Sequence, residues 1–165
     1  MVYAVTALNQ MSQSEFVAVL GSVFEDTPAI AAQVWHQRPF TGIADLHQKM
    51  VTIVESLSAA EQLALIRAHP DLGSKAQMAA ASVQEQAGVG LNRLSAAEFE
   101  RFHQLNQAYK TKFGFPFIVA VKNQTKASIL QAFEQRLDHS ADQERQQAIA
   151  EITQIAAFRL ATLVQ

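Results

Sequence analysis

The chain has no cysteine. That excludes disulfides, thiolate catalysis and cysteine-ligated metal, and it fits a reducing compartment. Breakers are scarce, with six glycines and four prolines in 165 residues, so interruptions of regular structure are few. Charge is scarce as well. Only 17% of residues are Asp, Glu, Lys or Arg and the formal net charge is −2, against about 25% charged residues in an ordinary soluble domain. There is no basic stripe, hence no electrostatic footprint for nucleic acid or for an acidic membrane surface. No apolar run approaches the ~18 residues of a membrane span. The opening residues MVYAVTALNQ lack the charged start and long apolar stretch of a secretory signal, and the closing ATLVQ carries no peroxisomal tripeptide. A cytoplasmic location is the expectation. Five histidines are present, but none forms HExxH and no two share a helix at i, i+4 spacing. No metal site is expected. His36, His47, His103 and His139 read as helix-surface residues, with His36 beside Trp35 and able to pack on it.

What is abundant is helix-forming. Apolar residues make up 49%, alanine is the commonest residue and glutamine the next, and both are comfortable in helices. Ser12 with Glu15 and Ser58 with Glu61 have capping-box spacing. They predict helices over residues 12–24 and 58–69. Thr27 followed by Pro28 predicts an N-cap and first helical residue leading toward Trp35. Pro39 and Gly42 break the chain before a helix over residues 44–55. Shorter helices are expected over residues 75–81 and 82–87. Ser95 and Glu98 open an amphipathic helix whose stripe is Phe99, Phe102, Asn106, Tyr109 and Phe113, at spacings of three and four. Residues 113–121 are aromatic and β-branched with Gly114 and Pro116 among them, which predicts a buried extended segment. Thr125 caps a helix to about Leu137. The last helix, over residues 141–163, packs through Ile149, Ile152, Ala156, Leu160 and Leu163. No repeat or linker interrupts this pattern. The expectation is one all-α domain over residues 1–165, a compact bundle of about eight helices with one buried extended segment.

Several residues stand out chemically. His69-Pro70-Asp71-Leu72-Gly73 puts an imidazole where a helix must stop, because proline disfavours helical geometry in the residue before it. Histidine titrates near neutral pH, so a fixed helix end aims a proton carrier at whatever lies beyond. The plainer reading is a histidine facing the last carbonyls of its helix. Ser82 and Glu85 have the same double character. They form either another capping box or a hydroxyl and carboxylate presented at a helix N-terminus. Arg159 borders the apolar face of the last helix. It pairs with Glu151 or Glu55, snorkels to an edge, or aims its fork into a pocket at a carboxylate or ureido oxygen. Asn106 interrupts an aromatic stripe and needs partners, for which the backbone of the extended segment is the nearest source. Phe113, Phe115 and Phe117 pack as core, while the backbone beside Gly114 can offer N–H groups to a flat polar ligand.

These blocks, in this order, resemble the OHCU decarboxylase family. They are HPDLG from His69, Ser-x-x-Glu-Gln from Ser82 followed by Ala87-Gly88, Asn106-x-x-Tyr109 leading into Phe-Gly-Phe-Pro-Phe-Ile, and Glu151-Ile152 leading to Arg159-Leu160. The resemblance spans residues 69–160 and the overall length agrees. The stretch between Gly73 and Ser82 is shorter than in several members of the family, and a changed pocket mouth is the expectation. The resemblance implies an all-helical, cofactor-free carboxy-lyase, commonly a homodimer. It would convert 2-oxo-4-hydroxy-4-carboxy-5-ureidoimidazoline (OHCU) to (S)-allantoin and CO2 in urate breakdown. It implies His69 and Glu85 as the catalytic pair and Ser82 and Arg159 as substrate contacts. Pro70 would fix the His69 ring, and Phe113, Gly114, Phe115, Phe117 and Ile118 would form a wall with backbone donors. A helical ligand-binding or regulatory module without turnover is the alternative. It would keep Arg159 and the wall but would not need His69.

Overall fold

The computed structural model describes residues 1–73 and 80–165. Among them are nine α-helices, one 3-10 turn and no strand, apart from an isolated parallel bridge between Tyr3 and Val164. The expected all-α class with about eight helices therefore holds. The helix expected over residues 75–81 falls mostly on residues 74–79, outside the described residues. Contacts divide the chain into two compact units, residues 1–68 with 153–165, and residues 69–152.

The first unit holds α1 (Val5–Leu8), α2 (Gln13–Leu20), α3 (Ala29–Val34), α4 (Ile43–Ser56), α5 (Ala59–Arg67) and the C-terminal part of α9 (Ala141–Leu163). Ser12 and Ser58 form complete capping boxes with Glu15 and Glu61, as their spacing predicts, each cap being worth about 1 kcal/mol. On α4, Leu46, Met50, Ile53 and Val54 recur every three or four residues and are buried. Phe16, Ile66, Ala156 and Leu160 are buried in the same unit. A fully buried Leu or Phe contributes roughly 1.5–3 kcal/mol, so this stripe holds the unit together. Two local expectations fail here. α2 ends at Leu20 rather than near Phe24, with Gly21 as its cap, and the carbonyls of Ser22 and Val23 beyond it accept from Arg159. Thr27 does not cap α3. Its hydroxyl donates to the Glu25 carbonyl instead, 2.7 Å away, and Pro28 stands at the cap without a side-chain bond.

The second unit holds α6 (Ala80–Gly88), α7 (Ala96–Phe113), α8 (Lys126–Arg136) and the start of α9. Capping boxes form at Ser95 with Glu98 and at Thr125 with Ser128. On α7 the predicted stripe is buried at Phe102, Asn106, Tyr109 and Phe113, with Phe99 half-buried. Tyr109 is the hub of the aromatic core, with the rings of Phe113, Phe115, Phe117 and Phe133 centred between 4.6 and 6.3 Å away. Gly114 ends α7 in the left-handed region, φ 77°, and its N–H donates to the Lys110 carbonyl. Only glycine adopts that conformation without a steric cost. Residues 115–121 then run buried and outside any helix or strand, as the sequence predicts. Buried backbone without a ladder has to find other partners, and side chains supply them. Arg136 donates to the Ile118 carbonyl at 2.6 Å, Glu151 accepts from the Ala120 N–H at 2.9 Å, and Gln124 donates to the Ala120 carbonyl at 3.0 Å.

Candidate active site

α5 ends at Arg67, with Ala68 as its cap. His69 follows as the first residue of the second unit, 9% exposed, while Pro70 and Asp71 are half-buried. The helix therefore stops just ahead of the proline, as expected. The turn after it is clamped at three points. Lys110 Nζ lies 2.8 Å from Asp71 Oδ2. Asn106 Nδ2 donates to the Leu72 carbonyl at 2.9 Å, and the Gly73 N–H donates to Gln86 Oε1 at 3.0 Å. The last two bonds grip opposite edges of one peptide unit. Asn106 and Lys110 are one turn apart, so a single face of α7 holds the turn. Gly73 has φ 67°, a left-handed conformation that favours glycine, and a Cβ there would come within 2.8 Å of the tip of the Leu94 side chain. The amide of Asn106 thus serves the His69 turn and not the extended segment. A turn carbonyl lying across from α7 was a partner the local sequence could not reveal.

Gln86 ties this turn to α6, which carries Ser82 and Glu85. Ser82 is buried and Glu85 half-buried. The capping-box reading of this pair fails. α6 already includes Ala80, so Ser82 lies inside the helix rather than at an N-cap. From Phe113 and Gly114, α7 leads into residues 115–121. The carbonyls of Ile118 and Ala120 and the N–H of Ala120 have partners there. No acceptor is present among the described residues for the N–H groups of Phe117, Ile118 and Val119. In the second unit, then, the His69 turn is bonded to α6 and α7, and α7 runs on into the buried extended segment.

Arg159 belongs to the first unit. It is buried, and its Nη2 lies 2.9 Å from Oε2 of the buried Glu25. Neither of its expected partners, Glu151 and Glu55, holds it. Glu151 is engaged by Gln147 and the Ala120 N–H. A second buried arginine escaped the sequence reading. Arg136 Nε donates to Glu144 Oε1 at 2.8 Å, and the Tyr109 hydroxyl donates to the same oxygen at 2.5 Å. His139 Nδ1, on a side chain 43% exposed, lies 2.8 Å from Glu144 Oε2. Burial, together with the Glu144 carboxylate, pushes the Tyr109 phenol far above its ordinary range. The sequence held one signal for this cluster. A cation in the last turn of α8 and an acid in the first turn of α9 each suit their helix dipoles, and the short link between these helices brings them together. His139 is therefore more than a surface residue. Among the described residues no group of three or more His, Asp or Glu is gathered to hold a metal, and no helix is long and apolar enough to cross a membrane.

The family model for OHCU decarboxylase matches residues 9–161. The 2-oxo-4-hydroxy-4-carboxy-5-ureidoimidazoline decarboxylase of Halalkalicoccus jeotgali is 46% identical over 156 residues, covering 94% of this chain and 89% of that protein. The uric acid degradation bifunctional protein PucL of Bacillus subtilis is 46% identical over 157 residues. That match covers 95% of this chain but 32% of PucL, so the chain spans about a third of it. Among solved structures, (S)-allantoin synthase superposes with a TM-score of 0.79 at 31% identity, over 97% of this chain and 54% of that one. An all-helical carboxy-lyase is the class that these matches and the helical architecture define. Within that class, the chain belongs to the OHCU decarboxylase family.

Proposed function

We propose that this chain decarboxylates OHCU to (S)-allantoin and CO2 in urate degradation, with no cofactor and with residues 1–165 working as one catalytic domain. The observation that carries this reading is the match of one family model across residues 9–161, a span containing every residue assigned a role. The substrate supplies its own electron sink, a ring C=N beside the carbon that bears the carboxylate. As the bond to CO2 breaks, its electron pair forms a C=C bond and the C=N pair moves to nitrogen, which takes a proton. The hydroxyl then loses its proton as the carbonyl forms, and the former imine carbon receives a proton on one face. Carboxylate is replaced by hydrogen, with one net proton consumed. A chain with neither cysteine nor a phosphate-cradling glycine loop needs only orientation and proton handling for this.

In this reading His69 and Glu85 carry the hydroxyl proton and the proton delivered to carbon. Pro70 sets the His69 ring. Ser82 and the segment containing Phe113, Gly114, Phe115, Phe117 and Ile118 hold the flat ring, the segment through side-chain walls and backbone N–H groups. The rigid clamp on Leu72–Gly73 suits such a role, because misplacing a proton carrier by an ångström is costly. Arg159 enters as a substrate contact on the resemblance alone, directed at neutral ring or ureido oxygens. Gripping the departing carboxylate would stabilise the charged ground state more than the transition state. The cytoplasmic setting rests on the lack of cysteine, and the homodimer on the resemblance, which light scattering tests. The activity is tested by mixing freshly generated OHCU with the protein. Wild type should hasten its loss and the release of CO2, while His69→Ala and Glu85→Gln should not. A wild-type rate equal to the spontaneous one would leave a binding module without turnover.

A further inference from the structure

The Arg136–Glu144–Tyr109 cluster plays no part in the proton chemistry proposed above, yet it is built into the wall segment. Glu144 is fully buried and Arg136 is 6% exposed. Arg136 has two ends in use, Nε on Glu144 and Nη1 on the Ile118 carbonyl. Its guanidinium also lies over the Phe117 ring, 4.3 Å from the centroid. Tyr109 fixes the other side of the arrangement by donating to the same Glu144 oxygen that Arg136 uses. A charged pair held this deep costs desolvation, and apolar residues of similar volume commonly serve stability as well. Its presence therefore calls for another reason.

The peptide geometry supplies one. The Ile118 carbonyl and the Val119 N–H belong to one trans peptide unit and point in opposite directions. Pulling the carbonyl onto Arg136 turns the Val119 N–H to the other side, where it has no acceptor among the described residues. Glu151 and Gln124 anchor the next two peptide units at Ala120, so the segment cannot relax past this point. We propose that Arg136, oriented by Glu144 and Tyr109, is a positioning residue that fixes the direction of the Ile118–Val119 peptide and so aims the backbone donor of the substrate wall. The inference rests on the reading of residues 115–121 as that wall.

Arg136→Lys keeps a cation beside Glu144 but cannot hold Glu144 and the Ile118 carbonyl together, because it lacks the planar two-ended fork. Losing one well-aimed hydrogen bond to ligand should weaken (S)-allantoin binding, read by calorimetry on folded protein, by about tenfold. OHCU turnover should lose a similar factor in kcat/KM, carried mostly by KM, since a donor bound equally to substrate and transition state acts on binding. The Val119 amide resonance should shift on adding (S)-allantoin to wild type and stay nearly still in the variant. Tyr109→Phe keeps the ring packing and removes only the anchor of Glu144. It should give a smaller loss of the same kind, and it carries the test if Arg136→Lys does not fold. A merely structural pair would lower the unfolding temperature and leave affinity and the Val119 shift at wild-type values in both variants, which overturns the proposal. A wild type that neither binds (S)-allantoin nor consumes OHCU is a separate result, which removes the wall reading and this inference with it.

Discussion

Each compact unit buries one arginine against one carboxylate, Arg159 against Glu25 and Arg136 against Glu144. The pairs resemble each other in burial and differ in what the second end of the guanidinium holds. Arg159 bonds the carbonyls of Ser22 and Val23 and so shapes the corner where α2 stops. Arg136 bonds the Ile118 carbonyl and covers Phe117, shaping the backbone of the candidate wall. The contrast teaches that a buried charge does not announce its role. The group at the far end of the fork does, and that group is fixed by tertiary contact.

Four substitutions break or sharpen this comparison, taken from the largest expected effect downward. His69→Ala should cost roughly a hundred- to ten-thousandfold in kcat, the usual worth of a positioned acid/base, with helical circular dichroism unchanged. A small loss would remove the chemistry from the second unit. Glu25→Ala and Glu144→Ala each strand a buried cation and should destabilise the protein by about 3–5 kcal/mol in urea titrations. A much smaller cost at either site would mean that its arginine reaches water. Arg159→Lys should raise KM severalfold with kcat nearly unchanged, the pattern of lost uniform binding. Reduced stability with KM intact would confine Arg159 to the α2 corner and make the contrast between the two arginines complete.

The smallest effect belongs to the exposed caps, which serve as a control outside both buried clusters. Hydrogen bonds from Ser12, Ser58 and Ser95 hold the carboxyls of Glu15, Glu61 and Glu98 below the ordinary value of 4.5. Carboxyls depressed in this way stabilise the fold above the ordinary carboxylate range and lose that contribution as pH falls through the depressed values. Ser12→Ala removes the hydroxyl that donates to the Glu15 carboxylate and should lower stability at neutral pH. The deficit should narrow in urea titrations repeated at about pH 3, and activity at neutral pH should not change.

The parts of the molecule legible in sequence are those decided by neighbours a few residues apart. The capping boxes at Ser12, Ser58 and Ser95, the cap at Thr125, the stop before Pro70, the break at Gly114 and the burial of residues 115–121 all follow from local spacing, and all are present. Ser82 and Glu85 misled because their spacing matches a capping box, and spacing cannot say where a helix begins. Partners of buried polar groups were beyond the same reasoning. Arg159 meets Glu25 across 134 positions and Asn106 meets Leu72 across 34. Several acids compete for one arginine in such a sequence, and packing selects among them. Arg136 and Glu144 are only eight apart, yet the break between their helices hid the pairing from any periodicity.

The central claim is that the protein directs a proton to one face of the product, with His69 as one of the carriers. Circular dichroism of the allantoin formed from fresh OHCU, with wild type and with His69→Ala, tests it most directly. The account predicts the signal of (S)-allantoin alone with wild type and the racemic background with the variant. Racemic product from wild type, or an undiminished (S) signal from His69→Ala, would contradict it.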